Sequence, residues 1–542
     1  MANVGAKQDG NITSAIPGVF LRQATGLVRE MNAWDAFNID LTNANAFANV
    51  AILLPLGLVL FTGGNLWLSV VTGTIAGMSV VLVYTMFAQA MPRSGGDYVF
   101  ISRALHPALG FLASWAMLVL CAFFSAFNAW SLGNWVLPDL LAPLGIMTGN
   151  KGFVDAAAWI AQPAVVVAII VISFALYFLI IFAGAKFSAR TQWIATFFTA
   201  ATLVVALPTL LLTSRSTYLA NFDHFAAYYH TSAARMVAIA AKGGAQLNAP
   251  FSWGQTLGFW PWVMVIFGYA VNSIMVGGEI RNAKRAQYYS VIGSTIIAAA
   301  ILATFLALGV SRIPSSLMTA MGYFGLVNPG TNPIPFTVNA QVPIALASSN
   351  PLLLILISGA VGFGLFLSSI GLYLWGTRYM FAWSMDRIAP PQLGILAGGR
   401  NAPVVALALL TVLGLFFGLL LQFLPNFTYV TGSLLQAILF LFTAIAAIVF
   451  PFRMRALYSG SIKYEIGGIP WISILGVWAT IFMLIMVYAY VTNSAFGVTT
   501  GTAEWFSIGV VVAGIVYYIA AWFVARQHGY DLAMTYKEIP PE

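Results

Sequence analysis

The sequence predicts an all-α polytopic membrane protein with twelve transmembrane helices, and three observations carry that prediction. Of 542 residues, 60% are hydrophobic and only 7% are charged, against ~25% charged in soluble domains. Twelve apolar stretches can cross a membrane: 34–61, 65–91, 108–136, 162–183, 188–213, 257–279, 287–310, 350–384, 403–423, 430–452, 471–492 and 505–527. Each offers about the 20 helical residues that a ~30 Å hydrocarbon core requires. The charges between them sort unequally: 18 of the 23 Lys and Arg residues fall on the side of the amino terminus and 5 on the other. The positive-inside rule then places both termini in the cytoplasm.

Residues 1–33 read as a polar cytoplasmic tail without a cleavable signal peptide, because the first apolar segment is a full span. That span opens at Trp34 and is not uniformly apolar. Asn38, Asp40, Thr42, Asn43, Asn45 and Asn49 crowd its first half. Unpaired polar groups in hydrocarbon are costly, so the cluster does not face lipid. Asparagine tolerates turn geometry and can satisfy freed backbone groups. Two structures suit this stretch. One is a helix broken near 43–48 whose centre faces a cavity, the pattern of transporter sites. The other is a continuous helix with its polar face buried in a bundle. Asp40 lies in the cytoplasmic half, as a gate or proton site, or as an ion-paired or water-exposed acid of an inner vestibule.

The loop after span 2 holds Pro92, Arg93, Gly95, Gly96 and Asp97. Pro92 stops the span, and the glycine pair admits backbone angles closed to other residues. Arg93 and Asp97 are near enough to pair or to staple neighbouring loops, a structural or gating role. Segments 214–256 and 311–349, on the outside, exceed ordinary connections and read as caps over a vestibule or as surface decoration. Span 6 contains Trp260-Pro261-Trp262, Phe267-Gly268-Tyr269 and Val276-Gly277-Gly278-Glu279, with Asn272 and Ser273 beside them. These residues suggest an unwound middle, although glycines also serve close helix packing. Spans 1 and 6 would head two five-span repeats, 34–213 and 257–452. Two further helices occupy 471–527, and 528–542 form a cytoplasmic tail.

Several function classes are excluded. The net charge of +8 sits in short loops between spans and is no nucleic-acid footprint. Cys121 is the single cysteine, so no intrachain disulfide forms. The four histidines fall in loops or tails, none at metal-ligand spacing. No Ser/His/Asp set and no phosphate-cradling Gly-Lys loop occurs, which argues against an enzyme and against a resident cofactor.

The Pro92–Tyr98 run, followed by the Gly110–Trp115 entry to span 3, resembles the amino acid–polyamine–organocation (APC) superfamily of permeases, with Asp97 where the family carries Glu. Three further matches support the resemblance: Trp34-Asp35-Ala36 after Arg29-Glu30, the run Glu279–Arg285, and the run Trp383–Pro390. The resemblance covers nearly the whole chain. It implies a 5+5 inverted-repeat, leucine-transporter-like fold with helices 1 and 6 broken, plus two C-terminal helices. Spans 1, 2, 6 and 7 would rock against 3, 4, 8 and 9, with 5 and 10 as thin gates.

The function implied is secondary active transport of amino acids or related amines across the plasma membrane by alternating access. A polyamine or organocation transporter or exchanger, or a sensor without concentrative uptake, is the alternative. The expected partners are a small-molecule substrate and the lipid bilayer. The substrate residues implied are Asn43, Asn45, Ala46, Phe47, Ala48, Phe267, Gly268, Tyr269 and Asn272, with Phe267 as the aromatic gate. Two departures stand out. The family's Gly-x-Gly of span 1 falls on Ala46-Phe47-Ala48, and its acidic-Gly step in span 6 becomes Gly268-Tyr269. Sodium or a proton would be the coupling ion. Proton-driven members often carry a span 5 lysine, where this chain has Thr199. Sodium-coupled transporters of the same fold place adjacent hydroxyls in span 8, and Ser368-Ser369 match as a sodium site. Paired serines also bond back to their own helix.

Overall fold

A computed structural model describes residues 27–337, 339–397, 402–424, 427, 433–461, 464–496, 501–529 and 536. The expected tails, 1–33 and 528–542, fall mostly outside those residues. The chain is predominantly helical, and among the described residues eleven helices are long and apolar enough to cross a membrane. The expected sixth span is the exception. It holds a ten-residue helix, Trp260–Tyr269, followed by 3₁₀ turns at Asn272–Met275 and Gly277–Glu279. The unwinding begins after Tyr269, where Asn272, Ser273 and the two glycines replace helix-forming residues.

The first span is helical on both sides of one residue. Helix α1 (Ala33–Ala44) starts at a capping box. The Asn32 side chain accepts from the N–H groups of Trp34 at 2.8 Å and Asp35 at 3.0 Å, and Asp35 accepts from the Asn32 N–H at 2.9 Å. These bonds satisfy donors that a helix start leaves open. Asn45 ends α1 with φ 41° and ψ 56°, left-handed values that asparagine tolerates better than bulkier residues. Helix α2 (Ala46–Leu60) begins at once. Asn49 Nδ2 donates to the Ala44 carbonyl at 2.8 Å, covering a group the interruption frees.

Helix α3 (Leu66–Ala90) stops before Pro92, and a short helix α4 (Gly96–Ala104) fills the following loop. Helix α5 (Pro107–Ser131) runs on through a π turn, Leu132–Val136, into Leu137–Thr148. It passes the expected end at 136, with Pro138 two residues beyond the π turn. α5 packs on the Pro351–Met385 and Val404–Phe423 helices, and α1 packs on Ala283–Arg312 and Pro351–Met385. The last helix, Gly501–Gln527, attaches to α5 through Trp115 Nε1, which donates to the Val510 carbonyl at 3.0 Å, and through Phe111 stacked on Tyr517.

The long segments are not irregular. Segment 214–256 holds helices Arg215–Ala227 and Ala233–Lys242 and the start of Trp253–Gly258, and 311–349 holds Ser315–Gly322 and Gln341–Ala345. They bond to each other at the end opposite the basic loops: Arg215 Nε donates to the Ser311 carbonyl at 2.9 Å, and Tyr323 Oη to the Gly243 carbonyl at 2.8 Å. At the basic end, the N–H groups of Glu30 and Met31 both reach the Glu279 carbonyl at 3.0 Å, and the Arg281 N–H reaches the Met31 carbonyl at 2.8 Å. This strand-like clip lies across the end of the sixth segment.

Candidate functional site

A cavity of about 750 Å³ begins at the interruption of the first span. Asn43, Asn45 and Ser368 line one end, and Leu60, Gly325 and Ser494 line the other, so it extends toward the long-loop end. Its walls come from α2, from the aromatic face of α5, from the Trp260–Tyr269 helix and from Pro351–Met385. Among the described residues, every lining side chain is uncharged.

Amide groups fix the inner end. Asn43 Nδ2 donates to the Ile39 carbonyl at 2.8 Å, and Asn43 Oδ1 accepts from Asn272 Nδ2 at 3.1 Å. Asn272 therefore ties the unwound sixth segment to the end of α1. Two glycines on Pro351–Met385 make room: an added Cβ would collide with the Asn43 amide at Gly371 and with the Asn45 amide at Gly364. Asp40, one turn earlier, is fully buried. Its carboxylate accepts from the Ser273 N–H at 2.7 Å and from Ser273 Oγ at 2.8 Å. It is neither ion-paired nor open to an inner vestibule, and it pins α1 to the Asn272–Met275 turn.

The sixth segment presents Trp262, Val265 and Tyr269 to the cavity, positions three and four apart on one helix face. Phe267 lies on the other face. It is fully buried, a Cβ added at Gly77 would meet its ring at 2.6 Å, and Phe482 packs 5.8 Å away, centroid to centroid. The expected gate thus lies inside the helix packing and does not border the cavity. Phe267→Ala should lower stability by about 3–5 kcal/mol, the usual cost of such a core truncation. A fall in the melting temperature of the purified protein checks this; lost transport with unchanged melting would restore the gate.

Other expected site residues divide similarly. Ala48 lines the cavity. Ala46 is buried, and Phe47 packs on Phe305 with ring centroids 4.9 Å apart. Gly268 faces Gln436, whose Nε2 donates to its carbonyl at 3.3 Å. Ser368 and Ser369 each donate to the Leu365 carbonyl, at 3.0 and 3.3 Å, and each accepts from Asn128 Nδ2 at 3.1 Å. An amide N–H thus points between the hydroxyls where a cation would have to bridge them.

Asn128 and the aromatic face of α5 were not anticipated. Phe123, Phe124, Phe127 and Trp130 recur at helical spacing beside Asn128 and Asn134. That mixture of amides and rings within an apolar span is the signal that could have marked them.

Beyond the inner end, toward the basic loops, three buried acids close the bundle. Glu279 takes Arg378 Nε at 2.7 Å and Nη2 at 2.9 Å. Asp386 takes Arg103 Nη1 at 2.6 Å and Nη2 at 2.7 Å, with the Tyr98 hydroxyl at 2.7 Å. Asp97 does not pair with Arg93. It accepts from the phenols of Tyr379 at 2.5 Å and Tyr84 at 3.0 Å. Burial pushes its carboxyl up to about 7, against the lowering effect of the two phenols. Gly95 and Gly96 take φ of 94° and 36°, and the Gly95 N–H reaches the Met275 carbonyl at 3.0 Å, with Pro92 next to Gly277.

A family model for amino acid permeases matches residues 44–533 of the chain. The branched-chain amino acid permease BcaP of Lactococcus lactis subsp. cremoris (strain MG1363) is 23% identical over 392 residues, 70% of this chain and 73% of that relative.

Proposed function

The chain belongs to the amino acid permease family, and on that premise we propose that it is a secondary active transporter of large neutral amino acids. The observation that carries the substrate class is the uncharged, aromatic cavity at the interruption of the first span. There the carbonyl end of α1 and the N–H end of α2 meet at Asn45. The two ends carry partial charges of opposite sign, so they complement the ammonium and carboxylate of one zwitterion. Ala48, Asn43, Asn45 and Tyr269 border that point, and Asn272 holds Asn43 in place. A charged side chain would enter a chamber with no counter-charge among the described residues, which is costly. The similar relative is named for branched-chain amino acids, whose side chains are apolar and uncharged.

The mechanism is alternating access. Twelve segments, counting the interrupted sixth, form two inverted five-segment repeats and two added helices, with both termini in the cytoplasm of a cell whose plasma membrane they span. Spans 1, 2, 6 and 7 move against 3, 4, 8 and 9. The cavity then faces outward, and the acid–arginine pairs close the cytoplasmic end. The test is uptake into proteoliposomes of radiolabelled leucine and phenylalanine against lysine, glutamate and putrescine. The neutral pair is expected to accumulate at least about tenfold faster, as the mispairing of a buried charge predicts. Equal or faster uptake of putrescine or lysine would overturn the substrate class.

A further inference from the structure

We propose that Asp97 is the proton-binding site of a latch at the basic end of the transporter, loaded as that end closes and emptied as it opens. The proposal rests on the alternating-access reading above.

The contrast among the three buried acids carries it. Glu279 and Asp386 each hold an arginine through two hydrogen bonds. Asp97 is fully buried and is held by two phenols, with no Lys or Arg at ion-pair distance among the described residues. A buried carboxylate without a cation is expensive, so such a group favours its neutral form. Its position matters as much. Asp97 lies on α4, Tyr84 on α3 and Tyr379 on Pro351–Met385, and Tyr84 Oη lies 3.2 Å from Thr443 of Ser433–Arg453. The carboxyl therefore joins α3 to Pro351–Met385, two elements that must separate if the basic end opens.

The other groups facing this junction leave Asp97 without a counter-charge. From α5 comes Cys121, and from α4 itself Arg103, which is committed to Asp386. Glu279 of the sixth segment is committed to Arg378. Arg453 donates to the Leu105 carbonyl at 2.5 Å, and Arg93 sits on the preceding loop without reaching Asp97.

The sign follows from linkage. In the closed form burial holds the carboxyl near 7; opened to water it returns toward the ordinary ~3.9. The closed form binds the proton more tightly, so acid favours closure and ionisation favours opening. With those two values, going from pH 6 to pH 8 shifts the balance about tenfold toward the open form. The proton passes between solvent and the Asp97 carboxyl, and no other bond is made or broken.

The test uses the full chain in nanodiscs, with Cys121→Ala and Val276→Cys as reporter. Val276 is fully buried and bridges to Ser94 at this junction. Thiol labelling rates at pH 6, 7 and 8 are each divided by the rate for the unfolded chain at the same pH. The expected result is a rise of about tenfold from pH 6 to pH 8, and a flat profile at the low-pH value in Asp97→Asn. A pH profile in Asp97→Asn equal to its parent's would overturn the proposal. Should that variant fail to fold, Tyr379→Phe removes a bond that lowers the carboxyl's pKa and should move the midpoint upward; an unmoved midpoint would overturn it equally. Labelling needs no substrate. Uptake with flat labelling in the parent overturns the latch alone, and pH-dependent labelling without any amino acid uptake overturns the transport reading alone.

Discussion

Glu279→Ala is expected to leave little folded protein. Glu279 and Arg378 are both 1% exposed and hold each other through two hydrogen bonds. Removing the carboxylate takes both of these bonds from a buried guanidinium. Breaking one side of a buried pair costs about 3–5 kcal/mol, a large share of the ~5–15 kcal/mol that holds a typical fold together. The fraction of monodisperse protein surviving a heating series, read by fluorescence-detected size exclusion, measures the loss. Combining Glu279→Ala with Arg378→Met removes both charges and should recover most of it, because apolar replacement of a whole pair is often neutral. An equal loss in the double variant would show that the cost lies in packing.

Gly371→Ala is expected to abolish most transport, by about 100-fold in the initial rate of uptake, since a displacement of ~1 Å at a binding centre can cost that much. The added methyl meets the Asn43 amide, and that amide cannot swing aside freely. Its nitrogen is held by the Ile39 carbonyl and its oxygen by Asn272. The stability cost should be smaller, about 1–3 kcal/mol for overpacking. Adding Asn43→Ala should relieve the clash and return the melting temperature, while uptake stays low because the amide is gone. Normal uptake in Gly371→Ala would place the binding centre elsewhere.

The interruption at Asn45 was legible because the polar residues from Asn38 to Asn49 cannot face lipid, and asparagine accepts the left-handed backbone that a break requires. The unwound sixth segment was legible from Asn272, Ser273 and the following glycines, and the Pro92–Gly96 loop from proline and the glycine pair. Facing direction was not. Phe267 and Tyr269 lie two residues apart, about 200° around a helix, and both sides of that helix are apolar. Periodicity therefore could not say which ring met the cavity. Ser368-Ser369 suggested ligands because nothing near them in the chain reveals Asn128, 240 residues away from Ser368. Glu279 closes the predicted sixth span and Arg378 lies within the predicted eighth, and nothing in the chain links the two; only packing reveals them as partners. The helices within 214–256 and 311–349 are short, and short helices owe their stability to contacts that composition does not display.

The clip between residues 30–31 and 279–281 sets an order of events during synthesis. Its first half leaves the ribosome about 250 residues before its second. At the usual ~5–20 residues per second that is a wait of roughly 12–50 s. Throughout it, the Met31 carbonyl and the N–H groups of Glu30 and Met31 have no backbone partners from the sixth segment. Closure of the clip therefore joins the start of the nascent chain to the end of its sixth segment. A bulky fusion attached close to residue 27 would fold during that interval and stand in the path of the closing strand, whereas a carboxyl-terminal fusion is made only after the clip's second half has emerged.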